Sequence, residues 1–317
     1  MIEVKNLTKF YGNYAAIEGV TFTVPKGRII GFLGPNGAGK TTTMKIITGF
    51  LTPSSGDVKV CGYDVMKQDM EVKKRIGYLP EIPPLYNEMT VISYLDFTAK
   101  IKGLKNAKKR KERLEEVLTL CTITDVKNKL TSQLSKGYKQ RVGLAQALIH
   151  DPEVLIFDEP TIGLDPKQIL ETRKLIKSLG GQRTIILSTH ILPEVAQTCD
   201  RVVIINKGKI VAEDSPENLS SSLKGAKRTH LQIRGPRNDI ETQLKTIDGI
   251  NKITYETSQD GINNFLVESV SKNEIQEQIA ATVVRNNWGL VELHPITISL
   301  EDIFLKLTTS EKEAANG

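Results

Sequence analysis

The sequence predicts an α/β protein. A core on a mostly parallel sheet carries an N-terminal antiparallel β subdomain and a helical insertion, and a small α+β domain follows. Three observations carry this. Short, largely apolar segments of strand length alternate with helical patterns over much of residues 28–205, as in a parallel sheet covered on both faces. One of them, Arg28–Leu33, runs through Gly34-Pro-Asn-Gly-Ala-Gly-Lys40 into a helical pattern ending at Thr48. Strand, glycine loop and helix in that order is the context of a phosphate-binding loop. Composition then shifts near residues 218–227, after which strand and helix patterns follow the order β-α-β-β-α-β, the ferredoxin-like arrangement. A chain of 317 residues also exceeds what one core usually holds.

Taken in order, Ile2–Leu7 and Val20–Val24 show alternating apolar positions, with turns at Gly12 and Pro25-Lys26-Gly27. Helical periodicity dominates from about residue 90 to 130, where Leu114, Val117, Leu118 and Cys121 share a face, and another helix runs from Ser135 to His150. The helical subdomain is therefore expected at about 85–150. Val154–Phe157 is a buried strand, followed by a helix near Gln168–Leu179, the strand Thr184–Leu187, a short helix after Pro193 and the strand Arg201–Ile205. Residues 1–218 form the first domain. Ser220-Ser-Ser222 and Gly225 mark a linker over 219–227, and 228–317 form the accessory domain. Its strands are expected at 229–234, 251–256, 263–269 and 288–294, and its helices at 238–247 and 273–286. A last helix, Ser299–Lys306, opens on a serine cap.

Composition narrows the class. No stretch approaches the ~18 apolar residues of a membrane helix, and Met1-Ile-Glu-Val-Lys-Asn lacks the basic start and apolar core of a secretory signal. A cytoplasmic protein is expected. Three well-separated cysteines, Cys61, Cys121 and Cys199, offer no pairing for zinc or redox work. The net charge of +6 admits nucleic acid or anionic lipid as a partner. However, Lys108-Lys-Arg-Lys111 is followed by Glu112, Glu115 and Glu116, which reads as one solvated helix face. Nucleic acid is not expected.

Gly34-Pro-Asn-Gly-Ala-Gly-Lys-Thr41 fits GxxxxGK[ST] in full. Its glycines let successive backbone N–H groups converge on phosphate oxygens, and the helix that follows aims its positive end at them. Lys40 is placed to reach the outer phosphates, and the Thr41 hydroxyl to ligate Mg²⁺. Val154-Leu-Ile-Phe-Asp-Glu159 ends a buried strand on two carboxylates. Asp158 suits the metal, and Glu159 suits a general base that polarises water, a contribution of roughly 10²–10⁴-fold in rate.

Four further segments make the reading specific. Leu134-Ser-Lys-Gly-Tyr-Lys-Gln-Arg141, upstream of the paired carboxylates, resembles the signature motif of the ABC ATPases. Gly163-Leu-Asp165 resembles their D-loop, and His190 after Leu187-Ser-Thr their switch histidine. Tyr11 falls where they place an aromatic against adenine. The motifs stand in the family's order over residues 1 to about 215. Within the family, Tyr78-Leu-Pro-Glu-Ile, Gln140–His150 and Leu300-Glu-Asp-Ile-Phe304 are similar to the subunits of gliding-motility-associated transporters.

The resemblance implies an ATPase subunit that closes head to tail with a second copy, or with a paralogous ATPase subunit, and drives a separate transmembrane permease. The protein would sit peripherally on the cytoplasmic face of the cell membrane. The implied catalytic residues are Glu159, His190 and Lys40. ATP would be held by Tyr11, Gly34, Pro35, Asn36, Gly37, Ala38, Gly39, Lys40, Thr41, Thr42, Ser135, Gly137 and Asp165, and Mg²⁺ by Thr41, Glu81 and Asp158. Stacking on Tyr11 would add roughly 1–3 kcal/mol. Ser135 and Gly137 would meet the γ-phosphate bound by the partner. Three departures stand out: Glu81 replaces the family's Gln, Lys136 and Tyr138 replace its Gly and Gln, and Ile162 replaces a D-loop Ser. Permease docking is expected near Glu81–Tyr86, where Pro83-Pro84 stiffens an exposed loop. Two other classes fit less well. Soluble ABC proteins of translation carry two ATPase units and those of DNA repair carry long coiled coils. A non-hydrolysing switch would lack Glu159.

Overall fold

The computed structural model describes residues 1–222, 227–259, 261–269 and 275–296. The chain divides into two compact units, Met1–Pro216 and Glu217–Gly317.

The first unit contains two sheets. Strands β1 (Ile2–Tyr11), β2 (Tyr14–Val24), β4 (Ser55–Val60) and β5 (Tyr63–Asp64) form an antiparallel sheet in the order β2-β1-β4-β5. The six-stranded sheet runs β10-β9-β3-β8-β7-β6. Its parallel strands are β3 (Ile29–Leu33), β6 (Ile76–Leu79), β7 (Val154–Asp158), β8 (Thr184–Thr189) and β9 (Arg201–Asn206), and β10 (Lys209–Asp214) is its antiparallel edge. Every residue of β3, β7 and β8 is buried, which is why these strands read as continuous apolar runs. Each fully buried large apolar side chain, Phe32 and Phe157 among them, contributes about 1.5–3 kcal/mol. Because β3, β8 and β7 are neighbours and parallel, their C-terminal ends lie side by side, where ligands bind in open α/β sheets.

Helices α1 (Lys40–Ile47), α2 (Asp69–Arg75), α3 (Val91–Ile101), α4 (Ala107–Leu120), α5 (Lys136–Leu148), α6 (Pro166–Leu179) and α7 (Leu192–Thr198) complete this unit. Their starts are chemically marked. Thr90 caps α3, Asn106 caps α4, Ser135 caps α5, and Asp165 caps α6 in a full capping box with Gln168, Pro166 following. Of the basic run on α4, Arg110 is partly buried, as is Arg113 beyond it. Arg110 Nε donates to Asp96 Oδ1 at 2.6 Å, and Arg113 Nη2 donates to the Leu148 carbonyl at 2.7 Å. These two arginines therefore tie α4 to its neighbours, while Lys108, Lys109 and Lys111 remain exposed.

Helix α8 (Pro216–Ser222) occupies the start of the expected linker. The second unit follows as β11 (Lys227–Arg234), α9 (Arg237–Lys245), β12 (Ile250–Gln259), β13 (Ile262–Ser269), α10 (Ile275–Arg285) and β14 (Gly289–Ile296). All its strand pairs are antiparallel, in the order β12-β13-β11-β14. That is the ferredoxin-like β-α-β-β-α-β topology. Leu231, Ile233, Phe265 and Val267 pack with Ile240, Leu244, Ile279 and Val283, and Trp288 lies against this core. The helix expected at Ser299–Lys306 lies outside the described residues. No helix among the described residues is long and apolar enough to cross a membrane.

Candidate functional site

Strand β3 delivers the glycine loop. Gly39 adopts φ 103° as the N-cap of α1, with no side chain capping the helix. The first-turn N–H groups are therefore open to a ligand. A Cβ on Gly39 would lie 2.5 Å from Ile17 Cγ2 and 2.6 Å from the Ala16 carbonyl oxygen, so this position requires glycine on both counts. Lys40 curls back over the loop. Its Nζ donates to the carbonyls of Gly34 at 2.9 Å and Pro35 at 3.2 Å and lies 3.3 Å from Glu159 Oε1. Ala38 is buried, and its N–H donates to Pro35. Its contribution to the loop is backbone shape.

Strand β7 delivers the two carboxylates. The strand ends at Asp158, and Glu159 turns out of it with φ 51°. Its backbone N–H donates to Ser188 O of β8 at 2.9 Å. The left-handed turn lets two consecutive carboxylates serve different partners. Glu159 Oε2 meets His190 Nδ1 at 2.9 Å, so one carboxylate bridges Lys40 and His190. A carboxylate on Nδ1 makes that nitrogen the donor and leaves Nε2 of the neutral ring as an acceptor.

Asp158 is fully buried and neither carboxylate oxygen has a hydrogen-bond partner. Burial pushes its pKa upward, Ser188 and Thr41 hydroxyls oppose that, and Glu159 and Glu81 reinforce it. A buried carboxylate with bare oxygens, facing another acid and a hydroxyl, is a donor set for a hard divalent cation. The residues present fit Mg²⁺.

These groups open into a cleft of about 420 Å³. Asn36, Gly37, Gly39, Lys40, Thr41 and Thr42 form its floor, and Glu81, Glu159 and Ile162 one side. Tyr11 stands at its mouth, half exposed, with Lys9 Nζ 5.6 Å from the ring centroid. Ile162 therefore faces the site as well as departing from the family pattern.

Gly34, Pro35, Ala38, Asp158 and His190 adjoin residues that line the cleft without lining it themselves, and Ser135, Gly137 and Asp165 are engaged elsewhere within one chain. The Asp165 carboxylate accepts the Gln168 N–H at 2.9 Å and caps α6. Ser135 Oγ caps α5 by accepting the Tyr138 N–H at 3.4 Å. Gly137 packs so close to Gln168 that a Cβ would fall 2.4 Å from its Oε1, which fixes the start of α5 against the start of α6.

Sequence reasoning missed two contributors. Tyr14 pairs with Tyr11 across the β1–β2 turn and also lines the cleft; the signal was the short Tyr-Gly-Asn-Tyr hairpin. Glu194 is buried on α7 and accepts from Thr161 and, at 2.9 Å, from Thr189 Oγ1. It ties the segment after Glu159 to the residue before His190. Both contacts are distant in sequence or polar, and no pattern announces them.

The family model described as "ABC transporter" matches residues 17–162. The chain is 37% identical to the bacitracin transport ATP-binding protein BcrA of Bacillus licheniformis, covering 97% of each chain. It is 32% identical to the linearmycin resistance ATP-binding protein LnrL of Bacillus subtilis, over 97% of this chain and 98% of that one. Among solved structures it is similar to an ABC transporter ATP-binding subunit, with TM-score 0.65 and 32% identity over 71% of this chain and 95% of that one. It is also similar to the cassette MJ0796 in a dimeric post-hydrolysis state bound to ADP and phosphate, with TM-score 0.63 and 27% identity over 68% of this chain and 98% of that one.

Proposed function

The chain belongs to the ABC transporter family of ATP-binding subunits, and from that premise we propose how its residues hydrolyse ATP and drive a permease. The observation that carries the reading is the bridge of Glu159 between Lys40 and His190. Lys40 and the first-turn N–H groups of α1 hold the outer phosphates. Glu159 accepts a proton from the attacking water, and His190, oriented through Nδ1, turns the acceptor Nε2 toward that water. Thr41, Asp158 and Glu81 hold Mg²⁺, which when bound neutralises phosphate charge. Tyr11 stacks on adenine. Ser135 at the start of α5 meets the nucleotide of a second subunit, which explains why it stands outside its own cleft.

A second groove, of about 580 Å³, is lined by Phe50, Met70, Pro84, Ile101 and His150. Phe50, Met70 and Ile101 are largely exposed. Such an apolar patch rimmed by Lys45, Lys73 and Lys74 fits a permease helix. It extends the docking region from Glu81–Tyr86 to the far side of Pro84. The subunit would then lie against the cytoplasmic face of the membrane. The named relatives point to an antibiotic as the cargo. A gliding-motility role is supported only by the segments around Glu81, Gln140–His150 and Leu300–Phe304.

The test compares native protein with Glu159→Gln. The variant is expected to lose roughly 10²–10⁴-fold in ATPase rate and to accumulate as an ATP-dependent dimer in light scattering. Hydrolysis at the native rate by the variant would refute the assignment of Glu159. Deleting the chain's gene and measuring bacitracin sensitivity tests the cargo class; unchanged sensitivity removes it.

A further inference from the structure

The second unit carries a cluster that nucleotide chemistry does not use. His230 on β11 stands opposite His294 on β14, and Glu292 stands two residues before His294 on the same strand. Leu231, Ile233 and Leu293 pack toward α9 and α10, so His230, Glu292 and His294 alternate onto the other face of the sheet. The two imidazole centroids are 5.1 Å apart. One ligand atom from each of the three residues lies within 4.8 Å of the others.

Ordinary ion pairing does not account for the arrangement. His230 Nδ1 is buried without a hydrogen-bond partner. Its nearest acids, Glu292 at 3.8 Å from Nδ1 and Glu256 at 3.7 Å from Nε2, are beyond hydrogen-bond distance. Only His294 Nδ1 and Glu292 Oε1, at 3.1 Å, are in contact. A buried lone nitrogen flanked by a second imidazole and a carboxylate supplies three of the four positions of a tetrahedral coordination shell.

We propose that His230, Glu292 and His294 bind one transition-metal ion, Zn²⁺ by preference, with Glu256 as the positioning residue for His230. Two imidazoles and a carboxylate select Zn²⁺ and its neighbours over Mg²⁺ and Ca²⁺, which prefer oxygen. Metal bonds of about 2.0–2.2 Å in tetrahedral geometry set ligand atoms roughly 3.4 Å apart. The cluster must therefore tighten by about 1.4 Å, and the half-exposed Glu292 and His294 side chains have room to do so. Glu256 then accepts the Nε2–H of His230, the partner that a ligating histidine usually finds. The fourth position is left to water or an added ligand, and the ion would join β11 to β14.

The experiment uses the full chain, freed of metal by a chelator and titrated with Zn²⁺ in calorimetry and with Co²⁺ in visible absorption. One equivalent per chain is expected, with the intense visible bands of a four-coordinate Co²⁺ site. His294→Ala, at a half-exposed position, and Glu292→Ala should each remove that equivalent while ATPase activity and circular dichroism stay native. Glu256→Gln should weaken binding about tenfold and keep the shape of the Co²⁺ spectrum. No tight equivalent in the native protein, or one that survives both alanine variants, would overturn the proposal.

Discussion

Glu159 holds a left-handed backbone at φ 51° while its side chain is shared by Lys40 and His190. Strain of this kind costs about 1–3 kcal/mol and persists where the surroundings demand it. The demand here is to separate Asp158, which stays in the buried strand, from Glu159, which must face the cleft. His190→Ala leaves Glu159 one partner short, and the expected outcome in a steady-state phosphate-release assay is a fall of about 10²-fold or more. Native turnover in that variant would assign orientation of the water elsewhere. Gly39 is constrained in a different way, by φ 103° and by the two close atoms a Cβ would meet. Gly39→Ala is expected to lower thermal stability by about 1–3 kcal/mol and to abolish binding of a fluorescent nucleotide; native affinity would contradict the loop geometry.

Helix α5 shows how much one element holds together. His150 follows it, and His150 Nε2 contacts the carbonyl of Ile76 on β6 at 3.0 Å. Burial, reinforced by Lys102, lowers the His150 pKa from 6.5 to about 4. The sign follows from the neutral form being the folded one. Between pH 6.5 and 4 the unfolded chain binds the extra proton, so this contribution is intact above pH 6.5 and lost as pH falls toward 4. Urea unfolding at pH 7 and pH 5 should differ by about 2 kcal/mol from this group, and His150→Gln should flatten that difference. The glycine loop, the two carboxylates and the α5 cap were legible in sequence because each is contiguous and its neighbours are local. Strands β4, β5 and β10 were not, since their faces are largely polar or half-exposed. Glu194 and Tyr14 were hidden for another reason: Glu194 draws one partner, Thr161, from the segment beyond β7, and Tyr14 matters only once the hairpin closes.

On the scale of the molecule, a nucleotide cleft and an apolar groove share the first unit, and the groove is the part that needs a partner. Ile101 is 67% exposed at its rim, so Ile101→Asp has no core to disturb. The expected result is native basal ATPase with loss of permease co-purification; retention of the permease would move the docking surface elsewhere. The second unit has its own core and its own topology, and the order β12-β13-β11-β14 sets its first strand beside its last. Arg228 lies opposite Ile296, and His230 opposite His294 two residues further in. The polypeptide thus enters and leaves this sheet at one corner. Tension applied at Arg228 and Ile296 would peel the β11–β14 ladder open one rung at a time, as a zipper opens, where strands loaded at opposite ends would resist in shear. The histidine pair stands at the mouth of that zipper, the position at which a single clasp would hold the whole row.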